Sequence, residues 1–184
     1  MTLFDFILLS LAMAIVMMMV VRDCAAQTSI KQTKALLMMG VIALFHALFA
    51  FGGVSVGRML GLDLAVDNMI FLGCLVFVAL KLFFVDFRKN KEVVAYDIAR
   101  LGTVMLLAIA TGINTFLLGI GCGFLCLEGV SAGKILVPMF VCVWLFSMWG
   151  VMLGRQKVEI RQRRWLLFAL IFIFVVALRG AFWA

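Results

Sequence analysis

The stretch from residue 48 to residue 58 reads Leu-Phe-Ala-Phe-Gly-Gly-Val-Ser-Val-Gly-Arg, and residues 145–155 repeat it 97 positions later as Leu-Phe-Ser-Met-Trp-Gly-Val-Met-Leu-Gly-Arg. Leu, Phe, Gly, Val, Gly and Arg coincide in the two stretches. At an offset of 98, residues 78–81 (Val-Ala-Leu-Lys) likewise match residues 176–179 (Val-Ala-Leu-Arg). The shared Gly-x-x-x-Gly-Arg ending is the clearest sign of an internal repeat.

Both stretches lie in long apolar segments of a chain with 67% hydrophobic and 14% charged residues and a mean hydropathy of +1.25. Soluble domains have about 45–50% apolar and about 25% charged residues, so the composition excludes a water-soluble globular enzyme. A helix needs about 20 apolar residues to cross the bilayer core. Six segments meet this length and predict an all-α, integral-membrane bundle of six helices: 3–21, 35–57, 69–85, 101–121, 135–153 and 165–182.

The basic residues between these segments alternate in number. Loops two and four carry one each, Arg58 and Lys134, whereas loops one, three and five carry twelve: Arg22, Lys31, Lys34, Arg88, Lys89, Lys91, Arg100, Arg155, Lys157, Arg161, Arg163 and Arg164. Cytoplasmic loops of membrane proteins carry the excess of Lys and Arg. We therefore expect loops one, three and five in the cytoplasm and both termini outside. The net charge of +7 indicates orientation in the bilayer and no nucleic-acid partner.

The repeat unit contains three helices, so its second copy must cross the membrane in the opposite sense. We expect one membrane domain, residues 1–184, composed of a first repeat (1–91) and a second, inverted repeat (92–184). Many secondary transporters place a substrate site near the midplane between such repeats. Small residues spaced by four allow close helix contact and predict packing faces at Gly53, Gly57, Gly150 and Gly154.

Polar groups within the bilayer are costly, so each is a candidate for function. Asn114 lies within the fourth segment, with Thr111 and Gly121 on the same helical face. It either forms an interhelical hydrogen bond or lines a pathway. His46, the only histidine, either is a satisfied core group or acts as a metal ligand or proton relay. Ser147 is expected to bond to the backbone of its own helix.

Two cations also lie within the segments. Lys81 and Arg179 are equivalent in the repeat, and we expect their side chains to extend to the membrane interface. None of the nine Asp and Glu residues falls in the central part of a segment. The sequence also has no phosphate-binding glycine loop, no nucleophile elbow and no spaced His/Cys metal motif. We expect neither an enzyme nor a permanently bound cofactor.

With these residues in view, the chain resembles the MntP-type manganese-efflux family over nearly its whole length. Residues 13–17 (Met-Ala-Ile-Val-Met) are similar to the family's Met-Ser-x-Asp-Ala motif, and residues 110–115 (Ala-Thr-Gly-Ile-Asn-Thr) to Ala-Thr-Ser-x-Asp-Ala. Residues 45–53 are similar to Phe-Gln/Glu-x-x-x-Pro-x-x-Gly, and residues 147–155 to Ser-x-x-Gly-x-x-x-Gly-Arg. The resemblance implies that the chain is a small bacterial inner-membrane protein with six helices in two three-helix repeats. It also implies that the chain exports Mn²⁺.

The chain differs from the family at the residues to which the resemblance assigns cation binding. Val16 and Asn114 stand where the family has its two membrane aspartates, and Ala50 stands where it has a proline. Divalent cations prefer carboxylate oxygen, so these replacements weaken the site. Three outcomes follow: a softer metal bound through His46, Asn114 and sulfur, weak manganese export, or a loss of transport.

The sequence thus predicts a transporter that exports a divalent metal cation, manganese first, by alternating access. Its predicted pathway comprises Asn114, Thr111, His46, Ser147 and Val16, with Asn114 and His46 as metal ligands. The alternative is a non-transporting helical membrane subunit or a degenerate transporter with a structural role. The expected partners are the lipid bilayer and the metal ion, and a homo-oligomer or another membrane partner is left open.

Overall fold

Six long helices make up most of the described chain. The computed structural model describes residues 3–28, 30–61, 64–87, 96–125, 132–157 and 162–183. The helices are α1 (Leu3–Gln27), α2 (Gln32–Leu60), α3 (Leu64–Phe87), α4 (Leu101–Phe124), α5 (Ala132–Arg155) and α6 (Gln162–Trp183). Within those ranges there is no strand, and the predicted all-α fold is confirmed.

Each helix extends beyond the apolar segment that predicted it. For example, α1 continues past residue 21 through Arg22 and Asp23, whose side chains form an ion pair of 3.2 Å, to Gln27. The apolar segment reports the thickness of the hydrocarbon layer, whereas backbone hydrogen bonds also form in the polar interface. In the described part of the chain, five helices are long and apolar enough to cross a membrane: Leu3–Gln27, Gln32–Leu60, Val66–Phe84, Leu101–Phe124 and Lys134–Arg155. A crossing by α6 stays a prediction.

The core of the bundle is centred on α1. Every residue from Ala12 to Met19 is buried, more than two full turns, so this helix is enclosed around its whole circumference. By contrast, α4 exposes a continuous apolar face that includes Met105, Ile109 and Ile113. Such a face suits lipid contact, because hydrocarbon chains are as apolar as these side chains.

The helix contacts are unchanged when the two predicted repeats are exchanged. α2 packs on α4 as α5 packs on α1, and α3 packs on α4 as α6 packs on α1. The remaining contacts join equivalent helices: α2 with α5, α3 with α6 and, most weakly, α1 with α4. This pattern is consistent with an inverted repeat. The predicted boundary at residues 91 and 92 lies outside the described residues, as do the loop cations Arg88, Lys89, Lys91 and Arg161.

The four glycines of the repeated stretch lie at the two closest helix interfaces. A Cβ at any of them would collide with a backbone carbonyl of the facing helix: Gly53 with Phe116, Gly57 with Ile120, Gly150 with Met18 and Gly154 with Arg22. The facing positions on α4 and α1 differ by 98 residues, the offset at which residues 78–81 match residues 176–179. Only a residue without a side chain permits backbone contact of this kind.

Candidate functional site

His46 lies in the middle of α2 and is completely buried. Its Nδ1 is 3.0 Å from the carbonyl oxygen of Ile42, one turn earlier. A carbonyl oxygen can only accept, so Nδ1 of the neutral ring carries the hydrogen and donates it. Nε2 then has a free lone pair, and it has no hydrogen-bond partner among the described residues. A buried lone pair on imidazole nitrogen is a ligand for a metal ion or an acceptor for a proton.

The surroundings of His46 are set by the contact between α2 and α4. Phe49 and Ala50, one turn after His46, contact Gly112 and Gly119 of α4. Residues three and four apart share a helix face, so His46 borders this interface.

Thr115 borders the same interface from the other side. It lies three residues after Gly112 and four before Gly119, and its side chain is completely buried. Its Oγ1 has no partner in the described part of the chain. We call His46 and Thr115 the α2–α4 polar pair. Thr115 was not among the predicted site residues, although it ends the stretch that carried the family resemblance.

Ser147 of α5 is also completely buried. We expected its hydroxyl to bond to the backbone of its own helix, as the hydroxyl of Ser10 does to Phe6 at 2.8 Å. That prediction is wrong, because Ser147 Oγ has no partner among the described residues. Gly150, one turn later, lies directly against Met18 of α1. Ser147 and Gly150 are three residues apart, so they share the face of α5 that meets α1.

Asn114 is 8% exposed and faces α3. Lys81 of α3 donates a hydrogen bond of 2.6 Å from Nζ to Oδ1 of Asn114. Gly121, on the same face two turns later, contacts Cys74 and Phe71 of α3. The small, polar face that the sequence indicates is therefore the α3 interface. We call Lys81 and Asn114 the α3–α4 polar contact.

The side chain of Lys81 does not extend to the membrane interface as predicted, because it is bound to Asn114. An ammonium group away from water needs acceptors, and the amide oxygen of Asn114 supplies one at lower cost than hydrocarbon. Its repeat equivalent, Arg179, is also paired: Nε lies 3.2 Å from Oδ1 of Asp5 in α1. Each cation thus joins the third helix of one repeat to the first helix of the other.

The remaining predicted pathway residues offer little to a ligand in this conformation. Thr111 is half-buried and donates its hydroxyl hydrogen to the carbonyl oxygen of Leu107 at 2.8 Å. Val16 is buried in α1, 9% exposed, within the apolar core.

The structure does not gather the predicted residues into one cluster. Asn114 and Gly112 are two residues apart and therefore point about 200° apart around α4. Asn114 faces α3, whereas Gly112 faces α2 near His46. Within the described ranges, no three His, Cys, Asp or Glu residues come together in a way that could hold a metal ion. The two predicted metal ligands thus belong to separate interfaces of α4.

An apolar groove of about 320 Å³ lies between α3 and α6, the two third helices of the repeats. Its walls come from Leu75, Val76 and Ala79 on one side and from Leu170, Phe174 and neighbouring α6 residues on the other. None of the predicted pathway residues lines it. The groove supplies no group that could hold an ion.

The chain matches the profile of a known protein family. The Mntp family profile, described as "Putative manganese efflux pump", matches residues 29–178. No curated protein and no solved structure matches the chain significantly. The match covers most of the chain and includes His46, Lys81 and Asn114, and it confirms the resemblance that the sequence motifs indicated. The family is one of transporters, which agrees with the expectation that the chain is not an enzyme. Val16 precedes the matched range.

Proposed function

The chain belongs to the Mntp family, and from this premise we propose that it exports a divalent metal cation, manganese first, across the bacterial inner membrane by alternating access. Family membership and the apolar helices support a multi-pass membrane transporter. The direction, the ion and the mechanism are our proposal.

The buried and unpartnered Nε2 of His46 is the observation that carries the proposal. A buried polar atom without a hydrogen bond costs about 1–3 kcal/mol, so native proteins leave few of them. Thr115 and Ser147 add unpartnered hydroxyls in the same bundle. An ion or water that passes between the helices would satisfy these atoms. A purely structural core would replace them with apolar side chains at no loss of stability.

The helix contacts support a division of the molecule into two bodies. Backbone-level packing at Gly53 and Gly57 joins α2 to α4, and packing at Gly150 and Gly154 joins α5 to α1. α3 packs on α4 and α6 packs on α1, so we divide the bundle into two bodies that meet mainly where α2 packs on α5. The first body comprises α2, α3 and α4, and the second comprises α1, α5 and α6.

We propose that these two bodies rock against each other. The contacts between them are those of α2 with α5, α3 with α6 and α1 with α4. The α2–α5 contact includes the indole N–H of Trp144, which donates to the carbonyl oxygen of Leu36 at 3.4 Å. Side-chain contacts such as this one can rearrange more easily than backbone contacts at glycine. His46 and Thr115 belong to the first body and Ser147 to the second, so both bodies carry buried polar atoms without a hydrogen-bond partner among the described residues.

The alternative function is a non-transporting helical membrane subunit. The α3–α4 polar contact favours it, because Asn114 already has a partner in Lys81. The separation of His46 and Asn114 on different sides of α4 favours it as well. In this case, the polar groups would only hold helices together.

Metal tolerance separates the two functions. The wild-type chain should be expressed in a manganese-sensitive strain that lacks its own exporter, and growth and cell metal content should be measured across manganese, iron, zinc and copper. If the chain exports manganese, cells that express it should grow at a manganese concentration that stops the growth of the control strain. Their manganese content should also be lower. If the membrane-inserted protein confers tolerance to none of the four metals, the transporter proposal is wrong.

A further inference from the structure

The ammonium group of Lys81 occupies the oxygen that Asn114 would offer to a cation. Nζ is 2.6 Å from Oδ1, a short charge-assisted hydrogen bond, and both side chains are at least partly buried. Amide oxygens are ligands for hard divalent cations. We propose that Lys81 is a tethered cation that competes with the transported metal ion for Asn114. This inference rests on the function proposed above.

Competition follows from geometry and charge. Oδ1 of Asn114 has two lone pairs, one of which accepts the Lys81 hydrogen, so a metal ion at the other would lie beside Nζ. The ion would also lie close to a fixed positive charge in a medium of low dielectric constant, where repulsion is stronger than in water. No Asp or Glu is among the hydrogen-bond partners that the structure gives Asn114 or Lys81. Metal binding therefore requires that Lys81 move away.

The side chain of Lys81 can also extend away from Asn114. It lies six residues before Phe87, the end of α3, which corresponds to about 9 Å along the helix axis. A lysine side chain near a helix end can extend toward the membrane interface with its charge in water. Lys81 thus has two positions, one bound to Asn114 and one extended, and the entering ion favours the second.

The repeat equivalent of Lys81 does not act in the same way. Arg179 pairs with Asp5, and its guanidinium carbon lies 5.4 Å from the ring centre of Phe4. The repeat equivalent of Asn114 is Val16, which lies eleven residues after Asp5, about 16 Å along α1. Arg179 is therefore held near the start of α1, away from the position that corresponds to Asn114. Among the described residues, a cation tethered at this depth is found in the first body and not in the second.

The test is Mn²⁺ binding to the full-length chain in lipid nanodiscs, measured from the electron paramagnetic resonance signal of free Mn²⁺. Lys81→Met and Lys81→Gln remove the charge, and Lys81→Arg retains it. Lys134→Met, which removes an exposed cation at the start of α5, is the control for net charge. Thermal unfolding identifies the variants that remain folded, and the glutamine variant can still hydrogen-bond to Asn114.

We expect at least tenfold tighter Mn²⁺ binding for Lys81→Met and Lys81→Gln, and a change of less than twofold for Lys81→Arg and Lys134→Met. The affinity for Mn²⁺ should rise less in Asn114→Asp alone than in Asn114→Asp combined with Lys81→Gln, because the new carboxylate would hold Lys81 in place. If the folded Lys81→Gln variant binds no tighter than the wild type while the wild type confers metal tolerance, the competition proposal alone is wrong. If no variant binds Mn²⁺ and the wild type confers no tolerance, both proposals are wrong.

Discussion

Gly53 of α2 and Gly150 of α5 make the same contact in opposite halves of the molecule. Gly53 lies against the backbone carbonyl of Phe116 in α4, and Gly150 lies against that of Met18 in α1. Each contact joins the second helix of one repeat to the first helix of the other. This correspondence is consistent with the predicted inverted repeat, and each contact unites helices from different predicted repeats in one of the two bodies.

These contacts make a prediction about stability. Gly53→Ala and Gly150→Ala should each destabilise the protein by about 1–3 kcal/mol, because neither carbonyl can move away from the added methyl group without shifting a helix. Gly73→Ala is the matched control, since nothing lies within 4 Å of a Cβ there. Unfolding of the detergent-solubilised variants measures the effect. Equal midpoints for all three variants would contradict the backbone-level packing.

His46→Val separates function from stability. Valine is the residue at the repeat-equivalent position, Val143, which is also fully buried. Because the substitution removes an unpartnered polar atom, we expect stability equal to or above that of the wild type. We also expect a loss of at least tenfold in manganese efflux rate, since the buried lone pair is gone. Ser55→Ala, an exposed serine on the same helix, is the control. Unchanged efflux in His46→Val would assign His46 to packing alone.

Arg179→Met tests the link between α6 and α1. Asp5 is 6% exposed in its side chain and loses an ion-pair partner, so we expect a cost of about 1–3 kcal/mol. Asp5→Asn in the same chain should restore part of the loss, because the carboxylate charge is removed too. The control is Arg100→Met: its pair with Asp97 is 81% and 44% exposed, and surface pairs contribute about 0–1 kcal/mol. If Arg179→Met and Arg100→Met lower the free energy of unfolding equally, the ion pair of Arg179 with Asp5 does not stabilise the protein more than a surface pair does.

The orientation in the membrane is a separate prediction. Twelve loop cations place loops one, three and five in the cytoplasm. Reporters that are active only in the cytoplasm or only in the periplasm should show both termini outside when fused to the chain. Two cytoplasmic termini would disprove the predicted orientation, and termini on opposite faces would disprove the count of six crossings.

The sequence predicts the helices well because their length is set by hydrocarbon thickness, which any long apolar segment reports. It also indicates the glycine faces, since Gly53 and Gly150 recur at one offset. It does not predict the partners of polar side chains. Lys81 reaches Asn114 only because α3 and α4 pack in a particular register, and Ser147 lies on the face of α5 that meets α1. Such contacts depend on rotation and tilt of whole helices, which apolar periodicity does not determine.

Mn²⁺ flux through the purified protein tests the central claim most directly. The wild type and His46→Val should be reconstituted into sealed liposomes that contain a Mn²⁺-sensitive dye, with Mn²⁺ added outside. We predict that the wild type quenches the dye faster than protein-free liposomes and that His46→Val does so at no more than one-tenth of the wild-type rate. Wild-type quenching no faster than that of protein-free liposomes, with the protein folded and inserted, would contradict the account.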